Sequence, residues 1–282
     1  MQPGGGVFGK ILFAPITFIY AIFLLAPISF FLAMSVFKYS AMDLYVPAVT
    51  FENFARLLGE DYYRTIIFRT LRIAGLTALF SLRLRYPLAY FLARTESIWR
   101  GILMFLVIAP LMTGVIVRTY GWIVLLGSEG TVNKTLIWLG VFDAPIKILE
   151  TETAVLVALI HILMPYMVFP LFSSLSSQDP NIERAAATLG AGRLRTFLEI
   201  TLPLSRSGIL MGSALVFTLT AGAVVTPALL GGRSVKMLGQ TIYELVLSTL
   251  NWPFASAVAS VLVLCQLSII FLYLRGGRRR AG

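Results

Sequence analysis

Residues 179–203, DPNIERAAATLGAGRLRTFLEITLP, form a polar island between two apolar runs, and the reading of the whole chain turns on them. Asp179 followed by Pro180 has the form of a helix N-cap with proline at the first helical position, and residues 182–189 are rich in alanine and other good helix formers. Gly190 and Gly192 end or bend that helix, a second helix fits residues 193–200, and Pro203 begins the next connection. Small Ala185, Ala186, Ala187, Gly190 and Gly192 permit close approach by a partner, while Leu189, Leu194, Phe197 and Leu198 supply apolar anchors. The stretch therefore reads either as a short helix pair offered to another protein or as an amphipathic hairpin lying on the inner leaflet.

The surroundings of this island are those of a membrane. Hydrophobic residues make up 58% of the 282 and charged residues 13%, against roughly 25% charged in soluble domains. At about 20 residues per span the length accommodates roughly five to seven transmembrane helices and no large soluble domain. An ATP-binding or catalytic module is therefore expected on another chain. The single cysteine, Cys265, lies in an apolar run and excludes a disulfide framework or thiolate metal site within the chain.

The expected architecture is an all-α polytopic membrane protein, one transmembrane domain over residues 1–282. Six spans are expected at about 11–37, 65–92, 101–117, 154–175, 208–230 and 254–274. The first is longer than a signal-peptide core and lacks a small-residue cleavage site, so it reads as a retained span. Residues 51–58 fit a short interfacial helix, and residues 118–153 form a long connection whose apolar piece 122–126 is too short to cross. Basic residues set the orientation. The side carrying both termini and residues 179–203 has a net charge of +7, counting Lys10 and the terminal Arg275, Arg278, Arg279 and Arg280, and the other side −1. That places the termini and the polar island in the cytoplasm. The net charge of +10 calls for anionic membrane lipid as a partner, not nucleic acid.

The polar island resembles the cytoplasmic loop of permease subunits in binding-protein-dependent ABC importers. That loop reads Glu-Ala-Ala, three residues, Gly, nine residues, Ile-x-Leu-Pro. Ala185 and Ala186, Gly190, and Ile200, Leu202 and Pro203 match at the right gaps. The family glutamate falls on Arg184, with Glu183 one position earlier and so turned about 100° around the helix. YPLAYFL at 86–92, RTYGW at 118–122, TPALLGG at 226–232 and NWPF at 251–254 are similar to the spermidine/putrescine type, and within it to the first of two related permeases. The resemblance implies a type I ABC importer permease fold in a bacterial inner membrane. Its implied partners are a second permease subunit, two ATP-binding subunits carrying ATP and Mg, an extracytoplasmic substrate-binding protein, and a small organic solute as cargo. No cofactor is expected on this chain. The implied ATPase-coupling residues are Glu183, Arg184, Ala185, Ala186, Gly190 and Leu194.

Four arginines, Arg69, Arg72, Arg83 and Arg85, fall inside the second expected span. Arg69 and Arg72 are expected to snorkel to the outer interface. Arg83 and Arg85 lie roughly 15–20 Å deeper along a helix. They either pair with the partner permease or inner-leaflet lipid, or line the path. Aromatic path candidates are Tyr120, Trp122, Tyr166, Phe169, Phe217 and Trp252. No Asp or Glu falls within an expected span. A polyamine is the cargo the resemblance implies, whereas the arginines suit a zwitterionic or anionic solute such as an opine or a phosphonate.

Enzymatic readings find little support. The lone His161 excludes a two-histidine zinc helix, a Ser-His-Asp triad has no intramembrane Asp, and there is no GxxxxGK[ST]. An ion-coupled secondary transporter would need titratable acids in its spans and no docking loop, the reverse of what is present.

Overall fold

The computed structural model describes the backbone of residues 5–278 and the side chains of residues 18–271. Lys10, Arg275, Arg278, Arg279 and Arg280, on which the charge-based orientation drew, lie outside those side chains. In chain order the elements are α1 (Gly5–Met34), β1 (Lys38–Ser40), β2 (Leu44–Val46), α2 (Glu52–Gly59), α3 (Asp61–Arg94), α4 (Ile98–Ile108), α5 (Val115–Leu126), α6 (Thr131–Trp138) and α7 (Glu152–Ile162). They continue with α8 (Met164–Ser176), α9 (Pro180–Thr188), α10 (Arg193–Thr196), α11 (Leu202–Leu204), α12 (Arg206–Ala221), α13 (Leu238–Leu247) and α14 (Trp252–Arg278). Among the described residues the strands are those of the antiparallel β1–β2 ribbon, in which Tyr39 faces Tyr45.

Among the described residues two helices, Asp61–Arg94 and Trp252–Phe271, are long and apolar enough to cross a membrane. Three helix pairs reach that length and apolarity only together and are bent at a short break, as a broken span or a re-entrant loop is: Ile98–Met112 with Val115–Trp138 at 101°, α7 with α8 at 46°, and Arg193–Leu204 with α12 at 65°. Proline marks each interruption, because it removes a backbone donor and crowds the preceding turn. Pro110 lies in a 3₁₀ turn, Ala109–Met112, and Pro165 follows the α7–α8 elbow. Pro203 follows a π-turn, Phe197–Thr201, and Pro227 opens a second one, Pro227–Gly231. Three expected boundaries therefore change. The run 101–117 is not one helix, the run 208–230 leaves α-helix at Gly222, and Pro203 sits within a helical run instead of starting a connection.

The chain divides into two compact units, residues 1–64 with 242–261, and residues 65–241 with 262–282. In the first, the Asn53 amide donates to the carbonyls of Ser35 and Phe37 at 3.0 and 2.9 Å, tying α2 to the end of α1. The Arg56 guanidinium lies 4.8 Å from the Phe254 ring centre, and Tyr63 meets Phe254 edge-on. The side chain of Asn251 caps α14 by accepting from the Phe254 N–H. Residues 18–32 of α1 expose a nearly continuous apolar surface, as a lipid-facing helix does.

In the second unit, α8 and α12 lie in close contact. A Cβ on Gly208 would stand 2.6 Å from the Pro170 carbonyl oxygen, and one on Gly212 would stand 2.9 Å from the Met167 sulfur. Two glycines four residues apart let the helix backbones approach where lipid supplies no hydrophobic drive. At the N-terminus of α7, Glu152 accepts from Arg69 at 3.1 Å and also from Arg72. Arg69 further donates to the Ser234 carbonyl. Arg69 and Arg72 of α3 are thus held by protein groups, where snorkelling was expected of them.

Candidate functional site

Residues 179–204 form the helix pair anticipated for the polar island. Asp179 caps α9 through its carboxylate, which accepts from the Asn181 N–H at 2.9 Å, and Pro180 occupies the first turn. α9 closes on Gly190, whose φ of +84° is left-handed. The Ala191 N–H reaches back to the Ala186 carbonyl and the Gly190 N–H to that of Ala187, both at 3.0 Å, so the last carbonyls of α9 are satisfied. α10 then leads through the π-turn into α11.

The hairpin is held from behind by one stripe of α3. Tyr86, Tyr90 and Arg94 are spaced four apart and so share a helix face. Tyr86 shares a 2.8 Å buried hydrogen bond with Ser205, and its ring meets Phe197 edge-on at 5.5 Å. Arg94 donates to Glu183 at 2.7 Å, to the Leu175 carbonyl at 3.1 Å and to Gln178 at 3.3 Å. Thr201 and Tyr90 also donate to Glu183, at 3.0 and 3.2 Å. Burial opposes ionisation of Glu183, but the bonds from Arg94 and Thr201 and the Arg94 charge prevail, and its pKa lies below the ordinary carboxylate value.

The six coupling candidates fall on two sides. Arg184, Ala185, Gly190 and Leu194 are exposed, and Leu189 and Leu194 are 89% and 72% exposed. Ala186 is buried and Glu183 is bound within the chain, so these two lie on the inward side. The one-position displacement of the glutamate is the reason, since it aims the carboxylate at α3 and leaves an arginine on the outer face.

The path candidates do not assemble into one site. Tyr166 lines two cavities, and Phe169 joins it in the second. A cavity of about 270 Å³ is bounded by Val115 and Arg118 of α5, Leu159 and Ile162 of α7, Leu163, Tyr166, Leu219 of α12, and residues 223–226. A second, of about 530 Å³, runs from Tyr166 and Phe169 past Ser173, Ser174, Ser177 and Ser207 along the α8–α12 groove. The Trp122 indole donates to His161 Nδ1 at 3.3 Å. Arg85 is partly buried, whereas Arg83 and Tyr120 are exposed. Phe217 is buried and lines a separate small cavity with Gly75, Ala78 and Ile269. Trp252 belongs to the other compact unit. Arg118 was not among the candidates, although RTYGW carried it. Arg94 and the two tyrosines were likewise missed, although their four-residue spacing was visible.

The family described as binding-protein-dependent transport system inner membrane component matches residues 85–280. The chain belongs to that family. The spermidine/putrescine transport system permease protein PotB of Haemophilus influenzae is 34% identical to it over 256 residues, covering 91% of this chain and 89% of that protein. PotB of Escherichia coli K12 is 37% identical over 229 residues, 81% of this chain and 83% of the relative. A chain in the crystal structure of a bacterial ABC transporter involved in the import of the acidic polysaccharide alginate superposes with a TM-score of 0.75. It does so over 98% of this chain and 96% of that one at 20% identity, a likeness of fold. This permease is thus a multi-pass inner-membrane transport subunit, not an enzyme, and it works with a binding protein and other ABC subunits. Family membership sets aside the ion-coupled secondary transporter.

Proposed function

We propose that this permease pairs with a second permease to form the path by which a polyamine of the spermidine/putrescine kind, delivered by an extracytoplasmic binding protein, enters the cell. Two ATP-binding subunits, which carry the ATP and Mg, dock on the cytoplasmic face. Residues 179–204 and both chain termini lie on that face, in keeping with the excess of basic residues there. The observation that carries the reading is the hairpin itself, which turns Arg184, Leu189 and Leu194 outward while α3 grips its reverse side. Closure of the ATPases moves the hairpin, and its attachment passes that motion to the membrane helices as a rigid-body change.

The relatives named for spermidine and putrescine support the cargo. The test is reconstitution of the purified complex in vesicles. Spermidine uptake that requires ATP and the binding protein is expected, and L189D and L194D should abolish recovery of the ATPases with the tagged chain. Absence of polyamine uptake from a complex with coupled ATPase activity would reject the cargo.

One observation favours a second cargo class. Arg118 is the one charged side chain lining the cavity of about 270 Å³, a better match to an opine, a phosphonate or another zwitterionic or anionic solute. Uptake of such a solute in preference to spermidine would decide for it.

A further inference from the structure

Three helix interruptions meet at the cavity that Arg118 lines: the 101° turn before α5, the α7–α8 elbow at Leu163, and the end of α12 at residues 222–226. Gly114 and Gly222 are exposed at two of them. Lipid tails offer nothing to unpaired N–H and C=O groups, so interrupted backbone at membrane depth is kept against protein or water. This face is accordingly a surface for another chain or for the path.

Its charge is one-sided. Arg118 from α5 and Arg85 from α3 both lie within electrostatic reach of His161. The Nε of each guanidinium is buried without a hydrogen-bond partner, and neither arginine forms an ion pair among the described residues. The Ile162 carbonyl at 3.1 Å is a partner of Arg118, and no Asp or Glu lines the cavity. His161, whose Nδ1 accepts from Trp122, supplies no compensating charge, because an imidazole is neutral or cationic and never an anion. Cations at membrane depth persist where an anion or an aqueous cavity compensates them.

We propose that a carboxylate of the second permease subunit seats in this cavity against Arg118, with Arg85 adding to the positive field from beyond His161. The inference rests on the polyamine reading. A cationic cargo calls for acids along its path, no Asp or Glu of this chain lines the cavity, and the facing subunit is the remaining permease wall. Arg118 is then the resident cation that holds such an acid in place until a cargo ammonium group competes for it. The groove below Tyr166, lined by serine hydroxyls, carries the cargo onward without a fixed charge.

The test uses the whole complex with R118K or R85K in this subunit and a membrane-permeant carbodiimide, which joins a lysine amine to an adjacent carboxylate and leaves arginine unreacted. The expected result is a covalent product of the two permeases that is absent from the wild type, with mass spectrometry placing the new bond on an intramembrane Asp or Glu of the second subunit. R118Q is expected to lower spermidine uptake about tenfold or more, because it leaves the partner's carboxylate unpaired. Neutralising that carboxylate in the R118Q background should restore part of the loss. Assembled, ATP-hydrolysing complexes of both lysine variants that give no cross-link overturn the proposal. So does an R118Q complex that keeps full spermidine uptake and loses uptake of an anionic solute. A wild-type complex that imports no polyamine overturns the reading beneath the proposal, and it is scored by uptake, separately from the cross-link.

Discussion

Gly190 ends α9 at φ +84°, and nothing lies within 4 Å of where its Cβ would be, so the demand for glycine here is one of backbone and not of space. A leucine there costs about 1–2 kcal/mol through the left-handed backbone alone. Gly190→Leu is expected to insert and assemble normally but to lose coupled uptake, whereas Gly190→Asn, which tolerates that conformation, keeps most of it. Transport assays on both variants check the assignment, and normal uptake by the leucine variant would overturn it. Glu183 offers a second test at this scale. Its pKa is lowered, so its contribution to anchoring is full above the ordinary carboxylate value of 4.5 and is lost as pH falls through the lowered one. Protection of residues 180–201 against hydrogen exchange, taken relative to the intrinsic rate at each pH, should therefore be high at neutral pH and fall in acid. In Glu183→Gln it should be low at both, at a cost of about 1.5–3 kcal/mol for bonds to a charged group. The paired exchange E183R with R94E should recover part of the protection, which a general packing defect would not. Sequence pattern placed the Asp179 cap and the Gly190 stop, because both are local chemistry. It could not assign Glu183 its partner, which comes from a residue 89 positions away.

At the scale of elements, the α8–α12 pair is set by Gly208 and Gly212. A side chain at Gly208 meets backbone oxygen at 2.6 Å and cannot be relieved by a rotamer change, whereas at Gly212 it meets the flexible Met167. Gly208→Val is therefore expected to destabilise the subunit by about 1–3 kcal/mol, the cost of overpacking a close contact, and Gly212→Ala by less. Thermal melting of the detergent-solubilised complex should rank them in that order, and an inverted ranking would deny the backbone contact. Helix interruptions were only partly legible. Each coincides with a proline visible in the chain, but Pro15, Pro27 and Pro87 lie inside unbroken helices. Whether a proline bends, breaks or merely interrupts a helix depends on which neighbours take up the freed carbonyls, and that is a matter of packing.

For the whole molecule, orientation is the open expectation, and vesicle labelling tests it. With Cys265 replaced, a cysteine at Leu189 should react with an impermeant maleimide only in inside-out vesicles, and one at exposed Val49 only in right-side-out vesicles. The reverse pattern would place the hairpin outside. Composition, the six apolar runs and the spaced Ala-Ala, Gly and Ile-x-Leu-Pro residues were enough to establish a helical membrane protein and its family. Hydrophobic runs and helix stops are properties of neighbouring residues and do not depend on how the chain folds back. The gathering of Tyr86, Tyr90 and Arg94 behind the hairpin, of Arg69 and Arg72 around Glu152, and of Arg118 with three interrupted helices at one cavity awaited the tertiary structure. Each of these joins groups that are tens of residues apart along the chain, and only the packing of helices brings their charges and hydroxyls within bonding distance.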